Sequence, residues 1–205
     1  MMASRFGSHL KVWFFFVPLL AIVVMPAIPD RTLFQIPAAE TQSLIDSLGT
    51  ERADEVTRAA NEVFRHAFVN NGVLHRTMVA TQDSSGISDG GASTFAYTWT
   101  RNFWLLIYRM IYRAMVMKVW LIGTACFAAA MFVDGTMRRK IKASAAGYAS
   151  PLSFHLAGHG LLLVGGTLFG VLVVPLPVLG YYWLAVGAVL GLLLWKAAES
   201  FQSAG

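Results

Sequence analysis

The 205-residue sequence contains four long apolar runs, and these constrain its fold more than any other feature. The runs cover residues 12–28, 95–133, 153–174 and 178–195. Hydrophobic residues make up 56% of the chain and charged residues 13%, a balance that excludes an ordinary water-soluble globule. We therefore predict an all-α membrane protein with about four transmembrane helices and the lipid bilayer as its surroundings.

The first apolar run, residues 12–28, follows Arg5 and Lys11 and would be about 25 Å long as a helix. A cleavable signal peptide is the alternative interpretation. The residues before a cut after Ala27 would be Met-Pro-Ala, a poor site because small residues are preferred at both key positions. We favour an uncleaved N-terminal signal anchor over residues 1–29.

Residues 30–94 form a polar block that contains nine of the eleven acidic residues. Apolar residues recur at three- and four-residue steps from Val56 to Phe68, which predicts an amphipathic helix with a narrow apolar face. Glycines at positions 49 and 72 indicate helix ends, and residues 83–93 are typical of a flexible linker. We predict a helical periplasmic insertion that contacts a partner through the face from Val56 to Phe68.

The second apolar run, residues 95–133, would be about 58 Å long if wholly helical, too long for one straight crossing. Its first part, residues 95–116, mixes aromatic side chains with Arg109 and Arg113. That mixture is typical of an amphipathic helix at the membrane interface. We therefore expect the crossing itself to cover residues 117–133.

The last two apolar runs are separated by only a few residues around Pro175 and Pro177, which predicts an antiparallel transmembrane hairpin. Residues 117–205 then form a three-span membrane domain. Small residues four apart permit close approach of helices in lipid. We expect them to pack the hairpin, with a homo-oligomer interface as the alternative. These helix-packing residues are Gly166 and Gly170 on one run, and Gly187 and Gly191 on the other.

Basic residues beside the spans predict the orientation of the chain. Four of them lie in the predicted loop 134–152, namely Arg138, Arg139, Lys140 and Lys142. The positive-inside rule places this loop and both termini in the cytoplasm. Arg109 and Arg113 conflict with this orientation because they lie at the outer end of the second span.

The same basic loop contains the candidate interaction residues, in addition to the four cations. Asp134 and Arg138 are four residues apart and would form an ion pair on a helix. His155 and His159 have the spacing of two metal ligands, but two ligands are not a site, so we expect no metal and no cofactor. The cations could also bind a partner protein or an anionic lipid. Direct nucleic-acid binding is not expected, since no fold motif accompanies the charge.

Three segments, "YRMIYRAM", "VDGTMRRKI" and "GYASPLSFHLAGH", resemble a family of inner-membrane proteins encoded in integrating conjugative elements and related conjugative plasmids, near the coupling ATPase. The motif positions are Asp134, Gly135, Arg138 and His155. The resemblance implies a place in the bacterial inner membrane and a role in DNA transfer through a type IV secretion system. It supplies no active site.

From these observations we expect an accessory component of conjugative transfer that acts through protein contacts, with the coupling ATPase as a candidate partner, rather than an enzyme. An exclusion or surface-regulatory protein of the same element is an alternative, which would act through the periplasmic block. A metal-dependent membrane enzyme is a further alternative, and it requires His155 and His159 to bind a metal ion.

Overall fold

The structure is a computed structural model that describes residues 12–82, 90–145 and 151–201. Among these residues there are helices and connecting turns but no strand, as the predicted all-α class requires. The seven α-helices are α1 (Val17–Val24), α2 (Ala38–Leu48), α3 (Thr50–Phe64), α4 (Val73–Gln82), α5 (Ala92–Ser144), α6 (Pro151–Val173) and α7 (Gly180–Ser200). Short 3-10 and π-helical turns flank α1, precede α2 and follow α3; they cover Val12–Phe16, Met25–Ala27, Arg31–Phe34 and Arg65–Val69.

Three of the described helices, α5, α6 and α7, are long and apolar enough to cross a membrane. Large apolar side chains on them are exposed, for example Ile122, Leu156 and Leu184. Exposed apolar surface of this extent is unfavourable in water and suits contact with lipid. The structure thus supports a helical membrane protein.

The first apolar run forms a shorter apolar helix, Trp13–Ala27, and is not one of these three candidate spans. At about 1.5 Å per residue it is roughly 22 Å long, less than the hydrocarbon core of a typical bilayer. Its large side chains, including Phe16 and Leu20, are exposed. Three helices of spanning length are therefore present in the described residues where four spans were predicted.

Helix α5 is a single element of 53 residues, about 80 Å long. No proline interrupts it, and its only glycines are Gly123 and Gly135, so nothing in the sequence forces a break. The helix continues without a break past residue 116, and the start of the crossing there stays a prediction. Residues 134–144 also belong to α5, so the basic cluster lies on a helix rather than in the predicted loop.

The chain divides into two compact units. The first contains the described residues up to Val116 together with Phe169–Leu179. Its apolar core is built around Phe34, Leu106 and Val173, against which side chains near the end of the first apolar helix pack. The second unit contains the described residues of Met117–Leu168 and the chain from Gly180 onward.

The first half of α5 lies inside the first unit, and its assignment to the membrane interface stays a prediction. Leu106 and Tyr112 are buried there. Phe64 and Phe68 pack on Trp104, with ring centroids 6.2 and 5.1 Å apart. Trp104 and Tyr108 of this segment therefore contact aromatic rings that lie before α5 in the same chain.

Part of the apolar face from Val56 to Phe68 also packs within the first unit. Val56 and Ala60 are buried, and the Phe64 ring lies 5.4 Å from that of Tyr108. The Tyr108 hydroxyl also donates a 2.7 Å hydrogen bond to Asn61. Val56, Ala60 and Phe64 of this face thus pack within the first unit, whereas Val63 and Ala67 are exposed, and a contact with an external partner stays a prediction.

Candidate functional site

A buried charged cluster lies in the first unit, formed by Glu40 of α2 with Arg109 and Arg113 of α5. The exposed fractions of these residues are 4%, 0% and 1%. Arg113 Nε and Nη2 each donate a 2.8 Å hydrogen bond to a different carboxylate oxygen of Glu40. Arg109 Nη2 lies 3.4 Å from Glu40 Oε2. Paired donation from one guanidinium is the strongest geometry available to an arginine and a carboxylate.

Further donors of Arg113 bind backbone carbonyls at the end of α6, whereas Arg109 Nε is buried and has no hydrogen-bond partner among the described residues. Arg113 Nη1 donates to the carbonyls of Val171 and Val174 at 2.6 Å each, and its Nη2 donates to that of Leu176 at 2.5 Å. A helix end leaves carbonyls without backbone donors and carries partial negative charge. Arg113 therefore caps the C-terminal end of α6.

Arg109 connects the cluster to two further backbone segments. Its Nη1 donates to the carbonyl of Leu33 at 2.8 Å, and its Nη2 to that of Leu176 at 2.9 Å. The backbone N–H of Val178 donates to Glu40 at 3.2 Å. The cluster thus links α2 and α5 to the segment that precedes α2 and to the segment that follows α6.

The charge balance of this cluster explains its architecture. Two guanidinium groups face one carboxylate, and an arginine does not lose its proton in a protein. The carbonyls at the end of α6 supply further compensation, equivalent to roughly half a negative charge. Burial of unpaired charge costs several kcal/mol, so each of these groups depends on the others.

The sequence places the two arginines on one face of α5, because residues four apart are neighbours on a helix. Asn102 lies earlier on α5 than the two arginines and is fully buried; its Nδ2 donates to the carbonyls of Pro26 and Ile28 at 3.3 and 2.8 Å. Neither Glu40 nor Asn102 was predicted as a site residue. The available signal was the pair Arg109 and Arg113 inside an apolar segment, where such charges need a partner.

The second unit contains the predicted ion pair. Arg138 Nε donates to Asp134 Oδ2 at 3.1 Å, as the four-residue spacing indicated. Trp195 Nε1 of α7 donates to the same oxygen at 2.7 Å, and the Arg138 guanidinium lies 5.1 Å from the centre of the Trp195 ring. The pair therefore joins α5 to α7.

A second ionic contact between these helices involves Glu199, which is buried. Lys142 Nζ lies 2.5 Å from Glu199 Oε1, and Lys196 Nζ lies 2.7 Å from Glu199 Oε2. Lys140 is exposed and forms no ion pair with a described residue. The Arg139 guanidinium lies 5.5 Å from the centre of the Phe201 ring. The four predicted cations thus have different surroundings.

The two histidines lie on α6 and are both exposed. The His155 ring lies 5.8 Å from that of Phe154. Across residues 12–82, 90–145 and 151–201, no three His, Cys, Asp or Glu side chains are grouped closely enough to hold a metal ion.

The predicted helix-packing glycines do not share one environment. Gly166 is buried, whereas a Cβ atom added to Gly170 would meet nothing within 4 Å. A Cβ at Gly187 would lie 2.6 Å from Thr124 Oγ1, and one at Gly191 would collide with the Phe127 ring. The nearest neighbours of Gly187 and Gly191 therefore lie on α5 rather than on the hairpin partner α6.

Two other glycines, outside the predicted packing positions, form close helix contacts. A Cβ at Gly135 would lie 2.5 Å from the carbonyl oxygen of Trp195, and one at Gly160 would lie 2.9 Å from Leu193 Cδ2. Gly135 thus permits α5 to approach α7 beside the Asp134–Arg138 pair. This contact brings the basic end of α5 against α7.

The length and apolar surface of α5, α6 and α7 define the class as a helical protein with several candidate membrane spans. Residues 24–202 match the family model described as IncC plasmid conjugative DNA transfer protein DtrJ-like. Since the match covers most of the sequence, the chain belongs to the DtrJ-like family of conjugative DNA transfer proteins. The predicted relation to a conjugation-associated family is confirmed. No curated protein and no solved structure matches the chain.

Proposed function

We propose that this DtrJ-like protein is an inner-membrane accessory component of conjugative DNA transfer that works by binding another protein of the transfer apparatus. Membership of the DtrJ-like family supports a role in conjugative DNA transfer. Three helices of spanning length support a membrane location. The observation that carries the proposed mode of action is the basic end of α5, Arg138 to Lys142, which remains accessible although it packs on α7.

The basic end of α5 suits protein recognition because part of it is already ordered. The Arg138 side chain is 57% exposed although Asp134 and Trp195 hold it in place. A side chain that is fixed before binding loses less conformational entropy when a partner arrives. Lys140 adds an exposed charge that has no carboxylate partner among the described residues. An acidic surface of a coupling ATPase or of another secretion membrane protein is the partner that this charge pattern fits.

The proposed topology has both termini in the cytoplasm and residues 30–100 in the periplasm. By the positive-inside rule, Arg109 and Arg113 would conflict with this topology only if their positive charges were free. They are buried against Glu40 and backbone carbonyls, so they are compensated within the fold. The contact of Glu40 with Val178 supports placing the insertion and the turn between α6 and α7 on one side of the membrane.

Photo-crosslinking in conjugating cells tests this proposal. A photoreactive residue in place of Lys140 is expected to give an adduct with another protein of the transfer apparatus. The same residue in place of Arg58, which is exposed on α3, is the matched control and is expected to give no such adduct. Adducts from position 58 but not from position 140 would contradict the proposal and move the working surface to the insertion.

A further inference from the structure

A cavity of about 440 Å³ lies in the second unit between the ends of α5, α6 and α7. Its volume falls in the range of roughly 300–1,000 Å³ that small-molecule sites occupy. The lining side chains are almost all apolar, with one cation among them. They include Phe132 and Arg139 of α5, Phe154 of α6, and Leu194, Ala197 and Phe201 of α7.

Arg139 is the charged group of this cavity, and its charge is not balanced by the neighbouring carboxylates. Asp134 accepts from Arg138 and Trp195, and Glu199 is paired with Lys142 and Lys196. Arg139 itself contacts the Phe201 ring and forms no ion pair with any described residue. A negatively charged ligand group would therefore find an available guanidinium at the cavity.

The helix ends around the cavity have the composition of a membrane–water boundary. Residues 134–142 of α5 and 195–199 of α7 contain five basic and two acidic side chains, an excess of three positive charges. Trp195 lies among them, and tryptophan is enriched at the headgroup level of membranes. On the part of α5 that precedes residue 134, exposed apolar side chains such as Phe127 and Phe132 continue the surface expected to face lipid. The cavity thus combines apolar walls with a cation at headgroup level.

We propose that this cavity binds an anionic phospholipid, with an acyl chain between the aromatic side chains and the phosphate on Arg139. A phospholipid is the ligand that has both an apolar chain and a negative group and is concentrated at this boundary. Basic pockets between membrane helices are suited to such headgroups. The guanidinium donates charge-assisted hydrogen bonds to phosphate oxygens, while its face stays on Phe201. Arg139 belongs to the basic end of α5, but the lipid site does not include the exposed Lys140 and does not depend on the proposed protein partner.

Native mass spectrometry of the full-length protein in mild detergent tests the proposal. Dioleoyl-phosphatidylglycerol is expected to bind more tightly than dioleoyl-phosphatidylcholine, which has no net charge. Arg139→Gln is expected to weaken phosphatidylglycerol binding roughly five-fold, from about 1 kcal/mol per basic residue near a lipid surface. Lys140→Gln removes the same charge one residue away without altering the cavity, and is expected to keep wild-type binding.

Two further measurements separate the lipid from other sources of phosphate and from loss of folding. Inorganic phosphate and dihexanoyl-phosphatidylglycerol, whose chains are short, should compete poorly with the dioleoyl lipid. Ala197→Phe should fill the cavity and lower lipid binding, whereas Ala143→Phe on the exposed side of α5 should not. Arg139→Lys should retain most binding if Arg139→Gln acts through charge. Equal effects of Arg139→Gln and Lys140→Gln, equal binding of both dioleoyl lipids, or full competition by inorganic phosphate would overturn the proposal.

Discussion

Arg113 binds both carboxylate oxygens of Glu40, which lies 73 residues earlier in the chain, and also donates to three carbonyls at and beyond the end of α6. One guanidinium thereby fixes the position of α2 against α5 and of α6 against both. Because Arg113 and Glu40 are both buried, loss of either side chain leaves the charge of the other uncompensated.

Glu40→Gln is the most direct change to this cluster. It keeps the size of the side chain but leaves two buried guanidinium groups without their carboxylate. We expect a loss of about 3–5 kcal/mol in unfolding free energy, the range for breaking a buried pair by removing one partner. Thermal unfolding in detergent measures it. Glu51→Gln, an exposed first-turn glutamate of α3, is the control and should stay near wild type. Equal stability of both variants would contradict the account.

Arg113→Lys tests geometry rather than charge. Lysine keeps the positive charge but cannot reproduce the planar paired donation to Glu40 together with three carbonyl contacts. We expect a clear loss of stability, measured as a lower unfolding temperature. Arg52→Lys is the comparison, because Arg52 pairs with Glu55 at 2.9 Å on an exposed helix face and should tolerate the change. If Arg113→Lys were as stable as Arg52→Lys, charge alone would account for the cluster.

Gly191→Ala and Gly170→Ala should change the stability of the protein in opposite directions. A methyl group at Gly191 collides with the Phe127 ring, so α7 must move away from α5 or the ring must shift. A methyl group at Gly170 meets nothing within 4 Å and gains helix propensity of up to about 1 kcal/mol. Melting temperatures in detergent should therefore fall for Gly191→Ala and hold or rise for Gly170→Ala. The reverse order would show that Gly170 forms the closer contact.

The spans and the local ion pair could be predicted from the sequence because their signals are local. Long apolar runs identify α5, α6 and α7 by hydropathy alone. The pair Asp134–Arg138 follows from four-residue spacing on a helix. The first apolar run carried the same kind of signal, but it forms a helix shorter than the other three.

The cluster around Glu40 could not be predicted, because its partners are distant in sequence. Glu40 lies 69 residues from Arg109, and Trp195 lies 61 residues from Asp134. Aromatic and basic residues mixed on one helix are typical of a membrane interface, and the same mixture suits a helix buried among polar helices. The tertiary contacts of Arg109 and Trp104 show that this segment packs against other parts of the chain, which its composition does not indicate.

The proposed topology predicts opposite labelling of two introduced cysteines. Cys126 is replaced by Ala first, so that each variant has one thiol. A membrane-impermeant thiol reagent added to intact cells should label Arg58→Cys, whose position is placed in the periplasm. Lys140→Cys should be labelled only after the inner membrane is made permeable. Labelling of Lys140→Cys in intact cells would reverse the orientation.

DNA transfer frequency tests the central claim, that the exposed basic end of α5 acts in conjugation. Arg138→Gln removes a positioned guanidinium that is 57% exposed and paired with Asp134 at 3.1 Å, a surface pair that contributes little to stability. Arg52→Gln removes a comparable exposed and paired arginine from α3. With equal amounts of each variant in the membrane of cells that lack the wild-type protein, Arg138→Gln is predicted to lower transfer at least ten-fold and Arg52→Gln to leave it unchanged. Wild-type transfer with Arg138→Gln, or an equal loss with Arg52→Gln, would contradict the claim.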